Sequence, residues 1–289
     1  KDVVLNPEAL KQDIKNEKKR AKALLKSQKQ AVKTGEDTKQ RVFVIDFDGD
    51  VQASAVDQLR EEVTAILSIA TPADEVVVRL ESPGGMVHSY GLAASQLSRI
   101  VSKDIPLTVA VDRVAASGGY MMACIGTHII AAPFALLGSI GVVAQIPNFH
   151  RLLKSKDVDV EILTAGEHKR TLTMFGENTD KGRQKFLEEL EDVHVLFKEF
   201  IAENRPVVNI AEVATGEAWY GKRALEHKLV DELKTSDEYI VDKCQAADVF
   251  LVKYVEDRNR VEKLVERFTA ALTRLKGAEA LRNHEPFRF

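Results

Sequence analysis

Three short stretches of this sequence carry residue types that could perform acyl transfer, and the first of them contains Ser117. This serine lies among small residues, between an apolar, β-branched run at 105–111 and an apolar segment at 120–125 that is typical of a helix. The free N–H groups of a first helical turn favour a developing negative charge. Ser117 is therefore a candidate nucleophile, although the ordinary role of serine as a helix N-cap fits this stretch equally well.

The second stretch places two glycines directly after a predicted strand at 75–80 and before a predicted helix at 87–101. Gly84 and Gly85 allow positive φ angles and a close approach of backbone N–H groups to a ligand. They predict an oxyanion hole. An ordinary turn built on Pro83 is the alternative.

A serine nucleophile also needs a base, and none of the seven histidines is well placed by its sequence context. The third stretch offers Lys169 instead, shortly after a predicted strand at 158–163. Lysine can accept a proton only when it is neutral, and burial beside Ser117 would favour the neutral form. By composition alone, Lys169 is one of many lysines.

These stretches, in this order, resemble the signal peptide peptidase A family of serine peptidases, and its SohB branch in particular. The resemblance covers roughly residues 41–233. Its motifs are ESPGG at 81–85, AASGGY at 115–120, GSIGV at 138–142, GEHK at 166–169, ATGEAWYG at 214–221 and LVDE at 229–232.

The resemblance implies an α/β fold of the ClpP/crotonase type, with a parallel or mixed sheet and crossover helices. It implies a serine endopeptidase in which Ser117 is the nucleophile and Lys169 the general base, acting through an acyl-enzyme. Gly85 and Gly118 would supply the oxyanion N–H groups, with Gly84 in the same turn. The expected substrates are signal-peptide remnants or other hydrophobic, membrane-associated peptides, and no cofactor or metal is expected.

A substrate pocket is expected near the glycine turn and the GSIGV motif. Apolar side chains there would suit small or hydrophobic residues of a peptide. The candidates are Met86, Val87, Ile140 and Val142.

Two other functional classes remain open at this point. A crotonase-like acyl-CoA enzyme uses the same scaffold and similar glycine-framed oxyanion holes, and a non-catalytic assembly platform could use the fold without its chemistry. Covalent reactivity at Ser117 separates both classes from a peptidase.

Composition fits an enzyme with one sizeable α/β core and appendages. The chain has 289 residues, of which 45% are hydrophobic, and a formal net charge of −3. The slight negative charge gives no basic bias toward nucleic acid. Cys124 and Cys244 neither require nor exclude an oxidising compartment.

Composition and the family resemblance together predict three parts of the chain. Residues 1–40 form a basic helical or flexible arm, and residues 41–235 form the peptidase domain. Residues 236–289 form a C-terminal extension of helix, strand and helix for packing or assembly. Its last helix, at 259–276, carries a heptad-like apolar stripe.

The apolar run at 129–146 is too interrupted by Pro133 and glycines to be a membrane span. Members of the SohB branch carry an N-terminal membrane anchor, which we expect to be absent from this chain. The expected location is the bacterial inner membrane, with the enzyme facing the periplasm. The basic segment at 11–33 favours the cytoplasmic face instead. A ring-shaped homo-oligomer is expected, in which Lys169 serves Ser117 of its own or of a neighbouring copy.

Overall fold

The computed structural model describes residues 39–166 and 169–255 of the chain. The strands are β1 (Arg41–Asp48), β2 (Glu75–Glu81), β3 (Leu107–Val111), β4 (Val114–Ala116), β5 (His128–Ala131), β6 (Leu136–Gly138), β7 (Ala218–Tyr220), β8 (Glu232–Leu233) and β9 (Asp248–Leu251). The helices are α1 (Val56–Leu67), α2 (Val87–Val101), α3 (Gly118–Ala123), α4 (His150–Lys154), α5 (Asp180–Asn204), α6 (Ile210–Val213), α7 (Gly221–Glu226) and α8 (Ser236–Ala246).

The main sheet has six strands in the order β8-β5-β3-β2-β1-β9, and all neighbouring strands are parallel. Parallel strands buried on both faces are continuous apolar runs, and every residue of β3 is buried. The helices α1 and α2 connect β1 to β2 and β2 to β3, as the alternation of strands and helices predicts.

The two faces of this sheet are covered by different helices. Phe43, Ile45 and Phe47 of β1 belong to the large core that includes residues of α1, α2 and α3. Val42 and Val44, which point to the other face, pack with residues of α8 and β9.

The C-terminal boundary of the compact unit differs from the one that the sequence predicts. Strand β9 pairs with β1, and the unit extends to Lys253. Residues 236–251 therefore complete the main sheet and its cover, and the expected boundary at 235 is wrong. The predicted helix at 259–276 lies outside the described residues, as does nearly all of the predicted arm at 1–40.

A second sheet of three strands, in the order β4-β6-β7, lies at the end of β2. Ser82 joins the two sheets: its N–H donates to the Val114 carbonyl at 2.8 Å, and its carbonyl accepts from the Ala116 N–H at 3.0 Å. The glycine turn that follows Ser82 is thereby fixed next to the strand that leads into Ser117.

A buried ion pair fixes the start of β1. Asp74 is only 3% exposed, and it accepts hydrogen bonds from the Arg41 guanidinium at 2.9 and 2.6 Å. Burial raises the pKa of this carboxyl, but the hydrogen bonds from Arg41 and Thr71 together with the Arg41 charge outweigh burial and lower it to about 2. The carboxylate is therefore bound much more strongly than the protonated acid.

The predicted helix at 87–101 is confirmed, and a second long helix is α5, at Asp180–Asn204. The predicted strand at 158–163 is wrong, because these residues are exposed and pair with no neighbouring strand. The apolar run at 129–146 contains β5 and β6. Within 39–166 and 169–255, no helix is both long and apolar enough to cross a membrane.

Candidate active site

Ser117 lies between β4 and α3 with a strained backbone. Its φ of 53° and ψ of −119° fall outside the regions that L-residues favour, and such strain is concentrated at functional sites. The Ser117 N–H donates to the Gly138 carbonyl at 2.7 Å, and its carbonyl accepts from the Met121 N–H at 3.0 Å. The hydroxyl forms no capping hydrogen bond with α3, so the ordinary N-cap role does not explain this serine.

The glycine turn packs directly against Ser117. Gly84 has a φ of +90°, and a Cβ atom there would lie 2.7 Å from both Ser117 Cβ and the Gly118 nitrogen. A Cβ atom at Gly85 would overlap the Val51 carbonyl oxygen. Each of these positions therefore requires glycine, which the turn alone would not demand.

Two backbone N–H groups beside Ser117 are free to bind an anion. The Gly84 N–H already donates to Ser82 Oγ at 3.0 Å, which removes it from the predicted set of oxyanion donors. The N–H groups of Gly85 and Gly118 donate to no acceptor in the described part of the chain. Gly118 is buried and is the first residue of α3, where an N–H without an acceptor is costly unless a ligand satisfies it.

Lys169 does not meet Ser117 within this chain. The lysine is exposed, and its backbone N–H donates to the Gly166 carbonyl at 3.2 Å. Among the described residues, neither Lys169 Nζ nor Ser117 Oγ forms a hydrogen bond. In the single chain, Lys169 is therefore not buried beside Ser117.

Comparison with known proteins identifies the family of this chain. The sequence pattern described as peptidase family S49 matches residues 99–249, and that described as peptidase family S49 N-terminal matches residues 1–97. The chain belongs to peptidase family S49. It is 55% identical to the probable protease SohB of Haemophilus influenzae over 267 residues, which are 91% of this chain and 76% of that protein. A probable protease SohB of Buchnera aphidicola is 54% identical over 81% of this chain and 69% of its own length.

The S49 assignment extends to the fold. A serine-to-alanine variant of the 1510-N membrane-bound stomatin-specific protease superposes with a TM-score of 0.52 at 13% identity, over 76% of this chain and all of that one. The ClpP-like fold and the resemblance to the SohB branch are thus confirmed, and the chain is a serine-type peptidase.

The part of the chain around Lys169 exposes many large apolar side chains. Val143 and Leu163 are each 90% exposed. The other exposed apolar residues are Ile146, Phe149, Leu152, Val158, Val160, Ile162, Met174 and Phe175. A group of this kind is typical of a contact surface with another molecule. The residues from 143 to 175 are called the lysine segment below.

The predicted pocket residues of this S49 peptidase differ in accessibility. Met86 and Val87 are 44% and 42% exposed at the start of α2, next to Gly85. Val142 is partly exposed. Ile140 is fully buried in the main core, so its side chain offers no surface to a peptide and its assignment to the pocket is wrong.

Two further residues support the S49 site through contacts that the sequence does not reveal. Trp219 packs over Gly138, where a Cβ atom would lie 2.7 Å from the indole ring, and Gly138 in turn accepts the Ser117 N–H. Tyr90 is fully buried beneath Gly118. The contacts that give these residues their importance come from distant parts of the chain.

Proposed function

We propose that this chain hydrolyses peptide bonds with Ser117 as the nucleophile and Lys169 as the general base. One observation carries the proposal: a strained serine whose hydroxyl caps nothing lies beside two backbone N–H groups, of Gly85 and Gly118, that have no acceptor among the described residues. A nucleophile next to preorganised donors is the arrangement that acyl transfer requires.

In the proposed reaction, neutral Lys169 takes the proton of Ser117 as Oγ attacks the peptide carbonyl carbon. The carbonyl oxygen becomes an oxyanion and accepts hydrogen bonds from the Gly85 and Gly118 N–H groups. Protonated Lys169 then gives its proton to the leaving amine as the C–N bond breaks. Water attacks the acyl-enzyme with Lys169 again as base, which releases the acid and restores Ser117.

The proposal places Lys169 and Ser117 of one active site in neighbouring copies of a homo-oligomer. Two observations support this arrangement: Lys169 is exposed without a hydrogen bond to Ser117, and the lysine segment around it exposes large apolar side chains. Contact with a second copy would bury those side chains and remove Lys169 from water, which favours its neutral form.

The proposed substrates are hydrophobic peptides such as signal-peptide remnants. The exposed, apolar side chains of Met86 and Val87 next to Gly85 support this preference. The proposed location is the bacterial inner membrane, with the enzyme facing the periplasm and held by an N-terminal anchor. A full-length protein that remains soluble after lysis, and does not sediment with membranes, would contradict the anchor.

Intact-protein mass spectrometry after treatment with a fluorophosphonate probe tests the dyad. We expect one adduct per chain in the wild type and none in Ser117→Ala or Lys169→Ala. Lys156→Ala is the matched control, because it removes another exposed lysine from the lysine segment. Equal labelling of all variants, or labelling of none, would remove the proposed chemistry and leave the acyl-CoA enzyme and the assembly platform as the remaining classes.

Mixing two inactive variants tests the arrangement between copies. If Lys169 serves a neighbouring Ser117, a mixture of Ser117→Ala and Lys169→Ala chains regains activity, because some sites combine the intact serine of one chain with the intact lysine of another. A mixture that stays inactive, although both variants assemble, would place the two residues in the same copy.

A further inference from the structure

Tyr90 and Ser82 form a buried chain of hydrogen bonds beneath the glycine turn. Both side chains are fully buried, and Ser82 Oγ lies 2.5 Å from the Tyr90 hydroxyl oxygen. Burial raises the pKa of Tyr90, so its hydroxyl keeps its proton. That single proton is donated to the Asp50 carbonyl at 2.7 Å, and Ser82 must therefore be the donor in the bond between the two hydroxyls.

Ser82 also holds the turn that carries the first oxyanion donor. Its Oγ accepts the Gly84 N–H at 3.0 Å, and on the other side of the turn the Met86 N–H donates to the Val51 carbonyl at 2.8 Å. Gly85 is thus fixed by hydrogen bonds to both of its neighbours. These bonds set the direction of the Gly85 N–H.

The ring of Tyr90 contacts the second donor. A Cβ atom at Gly118 would overlap Cγ of the Tyr90 ring, and a Cβ atom at Gly49 would lie 2.5 Å from the Tyr90 hydroxyl oxygen. These glycines leave the space that the tyrosine fills. One side chain is therefore in contact with Gly118 through its ring and with the turn through Ser82.

We propose that Tyr90 and Ser82 are positioning residues that set the spacing between the N–H groups of Gly85 and Gly118. The inference rests on the proposed function, in which these groups hold the oxyanion. Neither side chain can touch a peptide, because both are fully buried. Their effect acts through the donors, which must lie about 2.7–3.1 Å from the oxyanion to stabilise it.

The variant Tyr90→Phe removes the hydroxyl and keeps the ring against Gly118. We expect kcat on a peptide substrate to fall about tenfold to a hundredfold, while KM stays near the wild-type value. The affinity for a peptide aldehyde should weaken by a similar factor, because its hemiacetal oxygen occupies the position of the oxyanion. A variant that only destabilises the fold would not lower kcat and aldehyde affinity together while KM stays unchanged.

Tyr120→Phe is the matched control. Tyr120 is also fully buried, and its hydroxyl donates to one backbone carbonyl, that of Leu229, at 2.9 Å. Its removal loses a comparable hydrogen bond, and among the described residues that hydroxyl forms no bond with the glycine turn. We expect kcat and aldehyde affinity to stay at wild-type values. An equal fall in Tyr90→Phe and Tyr120→Phe would overturn the positioning role.

A double-mutant cycle tests whether Tyr90 acts on the glycine turn through Ser82. Ser82→Ala removes the acceptor of the Gly84 N–H, and adding Tyr90→Phe should cost little more, because both changes break the same chain. Additive losses of kcat in the double variant would show that the two side chains act independently, and would overturn their shared positioning role. If Ser82→Ala fails to fold, the comparison of Tyr90→Phe with Tyr120→Phe decides alone.

Wild-type protein that the fluorophosphonate does not label refutes the proposed function itself, whereas a labelled wild type with an unaffected Tyr90→Phe refutes only the positioning role.

Discussion

The substitution Gly84→Ala should damage catalysis as well as stability, because a methyl group at Gly84 would press on both Ser117 and Gly118. At a φ of +90°, an alanine pays about 1–2 kcal/mol of backbone strain. Its methyl group would also lie 2.7 Å from the Ala116 oxygen, the Gly118 nitrogen and Ser117 Cβ, where ordinary contacts begin at 3.4 Å. Overpacking of this kind costs about 1–3 kcal/mol.

Relief of these contacts requires the turn to move by several tenths of an ångström away from Ser117 and Gly118. Because Gly85 follows directly, its N–H moves with the turn. A misplacement of about 1 Å costs about a hundredfold in rate, so we expect kcat to fall about thirtyfold to a hundredfold. The free energy of unfolding should fall by about 2–5 kcal/mol.

The assay combines kcat and KM on a peptide substrate with urea unfolding of the same preparation. Gly91→Ala is the control: Gly91 lies in α2, and a Cβ atom there meets nothing within 4 Å. This change should stabilise the protein by up to about 1 kcal/mol and leave kcat unaltered. A Gly84→Ala protein that loses stability but keeps wild-type kcat would refute the link between the turn and the chemistry.

Three further predictions concern stability and are read from urea unfolding. Ser117→Gly should be inactive yet about 1 kcal/mol more stable than Ser117→Ala, because glycine relieves the strained φ of 53°; equal stabilities would contradict that strain. Asp74→Asn should cost about 2 kcal/mol at neutral pH. The folded-state pKa of Asp74 is about 2 against an ordinary 3.8, so this difference should disappear as pH falls from about 4 to 2, and a constant difference would be inconsistent with the Arg41 pair. Thr235→Ala should cost about 1 kcal/mol, because Thr235 and Glu238 form a capping box at the start of α8, and a neutral result would argue against it.

The sequence predicts those parts of the fold whose signals are local. The helix at 87–101 follows from its apolar periodicity, and the strand at 75–80 from its β-branched run. The segment at 158–163 alternates apolar and polar residues as a half-buried strand does, but among the described residues no strand pairs with it. Alternation alone does not reveal whether a partner strand exists.

The same distinction applies to the candidate site. Ser117 and the glycine turn are recognisable because small residues between a strand and a helix are a local pattern. The role of Tyr90 is not recognisable, because its hydroxyl acts on a backbone carbonyl forty positions earlier in the chain. Nor does the pattern reveal that the Gly84 N–H is already occupied, since that depends on the rotamer of Ser82.

The separation of Lys169 from Ser117 within one chain has a consequence for the cell. On the proposed assignment, the groups that stabilise negative charge are complete in every folded copy, whereas the group that removes the proton arrives only with a second copy. A newly made chain would then be unable to digest its neighbours, and its activity would rise more steeply than its abundance. The level of synthesis would then set when proteolysis begins.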